Sequence, residues 1–175
     1  METKTKVVRD YAGQLKLMAI QGHLEKIIKK ADEEKCSYLD FLLNTLQTEI
    51  NHRYNRNLEK RIKAAKLPVN YDLDNYDYSF VNGISKQQLK QLRECMWLEK
   101  IFNIVLMGPS GTGKTLIAAG LCYDALKSGY IAYFRTMEQI NEILIMKDIT
   151  RSALIEYNKL LKAHLLLIPV INVTI

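Results

Sequence analysis

The stretch IVLMGPSGTGKTLIAAG, from Ile104 to Gly120, sets a glycine-rich turn between a short apolar run and a segment of helix formers. Within it GPSGTGKT fits the spacing G-x-x-x-x-G-K-S/T at Gly108, Gly113, Lys114 and Thr115. The glycines let the backbone turn tightly and bring its N–H groups to phosphate oxygens, where a side chain would intrude. Lys114 supplies a point charge for β- and γ-phosphates, and the Thr115 hydroxyl is a ligand type suited to Mg²⁺. The helix beginning here aims its positive end at the same anion. The residues Gly108, Pro109, Ser110, Gly111, Thr112, Gly113, Lys114 and Thr115 therefore read as one cradle for a nucleotide, with Thr115 on the metal.

Working outward, short apolar runs alternate with helical patterns, the signature of a parallel sheet with crossover helices. Ile101 to Met107 is expected as a strand and Lys114 to about Lys127 as a helix closed by Gly129. A second strand is expected from Tyr130 to Arg135, then helices at Met137–Met146 and about Ser152–Lys162. LLLIPVINVTI, beginning at Leu165, follows as a third strand. The fold class predicted is α/β, a P-loop domain over residues 85–175.

Upstream, residues 1–68 read as a basic helical module. After a polar start, Leu17, Ile20, Leu24, Ile27 and Ile28 recur on one helical face until the run Ala31-Asp-Glu-Glu-Lys breaks it. Ser37 with Asp40 opens a second helix, whose face Leu39, Leu42, Leu43, Leu46 and Ile50 leads into a basic segment ending before Pro68. That segment holds Arg53, Arg56, Lys60, Arg61, Lys63 and Lys66 against Glu59 alone. It reads either as a solvated face or as a track for a nucleic-acid backbone. Residues 69–84 form a connector in which Tyr71, Tyr76, Tyr78 and Phe80 lack helical periodicity and are expected to pack over a domain edge more than to stack on bases. Ser85 is expected to cap a helix from Lys86 to Glu99, with Leu89, Leu92 and Met96 or Trp97 inward.

The chain has 175 residues, 48% hydrophobic and 25% charged, with a formal net charge of +6. That composition can bury a core and does not suit a disordered chain. Cys36, Cys95 and Cys122 show no metal-ligand spacing and read as reduced thiols. No signal-like or membrane-spanning apolar run is present, so the expected location is the cytoplasm and no membrane partner is expected. Hydrolysis at a phosphate loop usually needs an acidic residue at the end of a later strand. After Leu165-Leu-Leu-Ile168 come Pro169 and Val170, and no Asp or Glu follows Glu156.

The order of NRNLEKRIKAAKLP (55–68), YDLDNYDYSF (71–80) and NIVLMGPSGTGKTLIAAGLCYDALKSGYIAYFRT (103–136) resembles the IstB-like family, helper ATPases of insertion-sequence transposition within the AAA+ class. The resemblance spans about Gln14 to Ile168. It implies ATP and Mg²⁺ as ligands, double-stranded DNA and a transposase as partners, and self-association. A DnaC-like helicase loader, a related type, is the alternative. The family's acidic pair would fall at Pro169 and Val170, and its sensor residue, arginine finger and last strands beyond Ile175. The expectation is a truncated, hydrolysis-deficient copy, with no later strand to lie between the first strand and the third.

Overall fold

The computed structural model describes residues 2–79, 83–100 and 102–169, in two compact units, 1–57 and 58–175. In the first unit the polar start is itself a helix, α1 (Glu2–Gln14). It packs on α2 (Met18–Glu34) through Ala12, Ile20 and Leu24, with Leu17 against them. The crossing is close: a Cβ on Gly13 would lie 2.6 Å from Gln21 Nε2. The acidic run extends α2 rather than breaking it, because Lys29–Glu33 and Lys30–Glu34 pair one turn apart at 3.8 and 3.7 Å. Left-handed Lys35 ends the helix (φ 48°).

The next helix, α3 (Tyr38–Ala65), runs from the first unit into the second. Its N-terminal half turns the stripe Leu39, Leu42, Leu43, Leu46 and Ile50 to solvent. The inward side holds Glu49 instead. This carboxylate, 4% exposed, accepts hydrogen bonds from the amides of Ala19 (2.8 Å) and Ile20 (3.4 Å) and so closes the start of α2, whose own cap position, Leu17, has no side-chain acceptor.

In the second unit the last turns of α3 bring Leu58, Ile62 and Ala65 to a core with Cys95, Cys122, Ala125, Leu126 and Ala132. Ser85 and Gln88 form a reciprocal capping box on α4 (Lys86–Arg93). That helix is shorter than expected: left-handed Cys95 (φ 59°) breaks it, and Met96–Leu98 is a separate 3-10 turn. Met96 is exposed, whereas Trp97 is half-buried and donates Nε1–H to the Leu92 carbonyl. The helix α5 (Lys114–Lys127) is the buried centre of the unit. β1 (Ala132–Phe134), α6 (Met137–Met146), α7 (Arg151–Leu161) and β2 (Leu165–Leu167) follow. The two strands pair in parallel, Ala132 with Leu165, Tyr133 with Leu166 and Phe134 with Leu167.

The strand expected at Ile101–Met107 is not formed. Ile101 lies outside the described residues, and 102–107 join no ladder. Phe102, Ile104, Val105 and Met107 are exposed, and Leu106 alone packs inward. A strand exists through its neighbour's amides and carbonyls, and among the described residues none lies alongside. Among the described residues, most of which are helical, the sheet accordingly has two strands rather than three. Phe80, Val170 and the rest of the terminal PVINVTI also lie outside the described residues, apart from Pro169.

Candidate functional site

The loop at 108–113 is shaped by backbone conformations that side chains resist. Gly111 (φ 81°) and Gly113 (φ 78°) are left-handed, and Gly113 is the residue from which α5 starts. It offers no side-chain cap, so the first amides of α5 have neither an intrahelical acceptor nor a capping group. Such amides, at the positive end of a helix of 14 residues, suit an anion.

Lys114 Nζ folds back over the loop and donates to the carbonyls of Gly108 (2.8 Å) and Pro109 (2.5 Å). The Thr112 hydroxyl donates to the same Pro109 oxygen at 2.9 Å. The ammonium is thus held over the turn by the turn's own carbonyls. Thr115 is exposed at the start of α5. Ser110 and Pro109 form the exposed outer rim.

A metal has fewer donors here. Among the described residues no three His, Cys, Asp or Glu side chains converge on a point. Glu156, the last acidic side chain of the sequence, accepts from Lys159 Nζ (2.6 Å) and Arg135 Nη2 (3.2 Å); the Lys159 hydrogen bond first, then that from Arg135 and the two charges, outweigh burial and keep it below the usual carboxylate range. Pro169 has no donor side chain and no N–H. A magnesium ion at this loop would rest on Thr115 and on oxygens brought by the phosphate itself.

The basic residues divide by role. Arg56, Lys60 and Lys63 recur three and four apart and are exposed, while Leu58, Ile62 and Ala65 turn the opposite side of the same helix into the core. Lys66, exposed, is the left-handed residue just past the helix (φ 58°). Arg61 is half-buried, with Nε enclosed and unpartnered. Arg53 is engaged elsewhere: Nε donates to Glu49 (2.9 Å) and Nη2 to the Lys16 carbonyl (2.9 Å).

One feature had no sequence signal. Arg135, 1% exposed, donates to the carbonyls of Ala64, Ala65 and Phe134 and to Glu156, tying the end of α3 to β1 and α7. The connector packs on the domain, as expected of its aromatics: Leu73 and Tyr76 are buried against α5, Tyr71 meets Tyr123 at 4.8 Å, and Tyr78 sits edge-on to Tyr76 at 5.0 Å. Burial pushes the thiols of Cys122 and Cys95 up to about 12 and about 11, so neither is a nucleophile at neutral pH. Among the described residues no helix is long and apolar enough to cross a membrane.

Comparison with known proteins adds an independent line. The profile of the family described as IstB-like ATP binding protein matches residues 10–172. A protein of Bacteroides fragilis described as an insertion sequence IS21-like ATP-binding protein is 42% identical over 159 residues, 91% of this chain and 60% of its own length. Another, from strain YCH46 of that species, is 41% identical over 163 residues, covering 93% of this chain and 82% of the relative. An IS21 ATP-binding protein of Pseudomonas aeruginosa is 32% identical over 127 residues, 73% of this chain and 48% of its own length.

Proposed function

We propose that this chain, which belongs to the IstB-like ATP-binding protein family, binds ATP through Gly108–Thr115 and serves as a DNA-transposition helper. The observation that carries the nucleotide assignment is the pairing of an uncapped helix start with the Lys114 ammonium in one turn. Lys114 exchanges its loop carbonyls for phosphate oxygens, the free amides hold the rest of the anion, and Thr115 meets Mg²⁺. The Mg²⁺ neutralises charge on the triphosphate when bound.

The exposed side of α3 bearing Arg56, Lys60 and Lys63 supports duplex DNA as a partner, because phosphate contacts need accessible cations rather than paired ones. The relatives' names favour a transposase as the protein partner over a replicative helicase. Self-association and a cytoplasmic location complete the reading. The chain spans 60% of the first relative's length and 48% of the third's, and these assignments concern the activity of the whole assembly. With Pro169 where the family's first acidic residue would stand, this chain binds without turning over ATP.

A thermal melt with and without Mg-ATP tests the proposal. Ligand at about 100 times its dissociation constant stabilises the folded chain by about 2.7 kcal/mol, and Lys114→Ala should abolish that shift. No lysine-dependent phosphate release should be seen. A melt indifferent to Mg-ATP would sink the nucleotide assignment, and turnover lost in Lys114→Ala would sink the claim of silence.

A further inference from the structure

The connector straps α5 by a turn, closed where the Tyr76 N–H donates to the Leu73 carbonyl at 3.3 Å, and both of these residues press on helix glycines. Tyr76 stands at Gly113, where an added Cβ would be 3.2 Å from its Cε2 and 3.7 Å from its hydroxyl. Leu73 stands at Gly120, where an added Cβ would be 2.2 Å from its Cγ. Arg93 pins this arrangement, donating to Asp74 and to Asp124 at 2.7 Å each.

We infer that Tyr76 is a positioning residue for the phosphate loop. Tyr76, 8% exposed, clusters with Leu73, Leu89, Ile117 and Leu121, which back its ring against Gly113. It therefore buttresses the left-handed Gly113 from which the α5 amides and Lys114 point into the turn. Because coupling between sites is reciprocal, a filled loop in turn tightens the strap, so the connector senses occupancy. This rests on the nucleotide reading for its ligand, and on geometry alone for the buttress.

Hydrogen exchange of the whole chain without ligand separates the two. Tyr76→Ala should speed exchange of the amides at 113–117 by about tenfold or more, with Tyr76→Phe within about twofold of the parent, since the ring and not the hydroxyl makes the nearest contact. Tyr76→Leu, which keeps apolar bulk for folding, should behave as Tyr76→Ala does. Fluorescent Mg-ATP should bind Tyr76→Ala or Tyr76→Leu about fivefold or more weaker, with Tyr78→Ala unchanged, and should slow exchange at 72–77 in the parent. Equal acceleration throughout α5 and β1, or loop exchange in Tyr76→Leu within about twofold of the parent, overturns the inference. A parent that fails to bind Mg-ATP would strike the nucleotide reading, while the ligand-free exchange still decides the role of Tyr76.

Discussion

Lys114 and Arg135 are both cations held by main-chain carbonyls, and their burial separates their roles. Lys114 sits in an open turn and can trade carbonyls for a ligand; Arg135 is enclosed and cannot. Arg135→Met should lower unfolding stability by about 3 kcal/mol in urea, since it strands two helix-end carbonyls and a carboxylate. Lys114→Ala should leave the ligand-free midpoint almost unmoved. Glu49 gives a pH signature. Burial works to raise its pKa, but hydrogen bonds from Arg53 and the amides of Ala19 and Ile20 outweigh that and hold it below its ordinary 4.5. A carboxylate more acidic when folded contributes stability that is complete above that value and lost as pH falls through the folded one. The melting temperature should thus drop below about pH 4.5, and Glu49→Gln should flatten the drop while costing about 1–3 kcal/mol at neutral pH. Lys114 was legible because its partners lie within six residues; Arg135 and Glu49 act on backbone 70 and 30 residues away, which no local pattern records.

At the scale of elements, helices that announce themselves by period and cap were legible: α5, α6 and the Ser85 start of α4 lie where the pattern puts them. Thr136 and Gln139 form a further capping box at α6. The errors share a cause. The α1 segment lacks a broad apolar face yet folds as a helix that buries Ala12 against α2, and the α2 acidic run gains from lysines one turn earlier. The strap was readable as irregular and packed, but not where it packs, since its contact points are glycines on α5. Gly120→Ala tests the attachment. Alanine favours an exposed helix by about 1 kcal/mol over glycine, but here it collides with Leu73, so net destabilisation of about 1–2 kcal/mol is expected in urea unfolding. A stabilised variant would mean the strap does not press on α5.

At the scale of the whole molecule, the family was legible from the order of three segments, 55–68, 71–80 and 103–136, and so were the parallel strands at Ala132 and Leu165, but the fate of 102–107 was not, because a strand needs a neighbour. The basic face makes a molecule-wide prediction. Lys60→Glu with Lys63→Glu should weaken duplex DNA binding across unrelated sequences and reduce the slope of log affinity against log salt by about two, in fluorescence anisotropy titrations. A retained slope would assign those lysines to solvent. The unladdered run 102–107 carries a different consequence. Amides and carbonyls with no ladder, flanked by exposed Val105 and Met107, offer any passing chain a place to zip on. Light scattering from the purified chain should therefore climb steeply with concentration, and a single Val105→Lys should calm it by giving that rim a charge to repel its own kind.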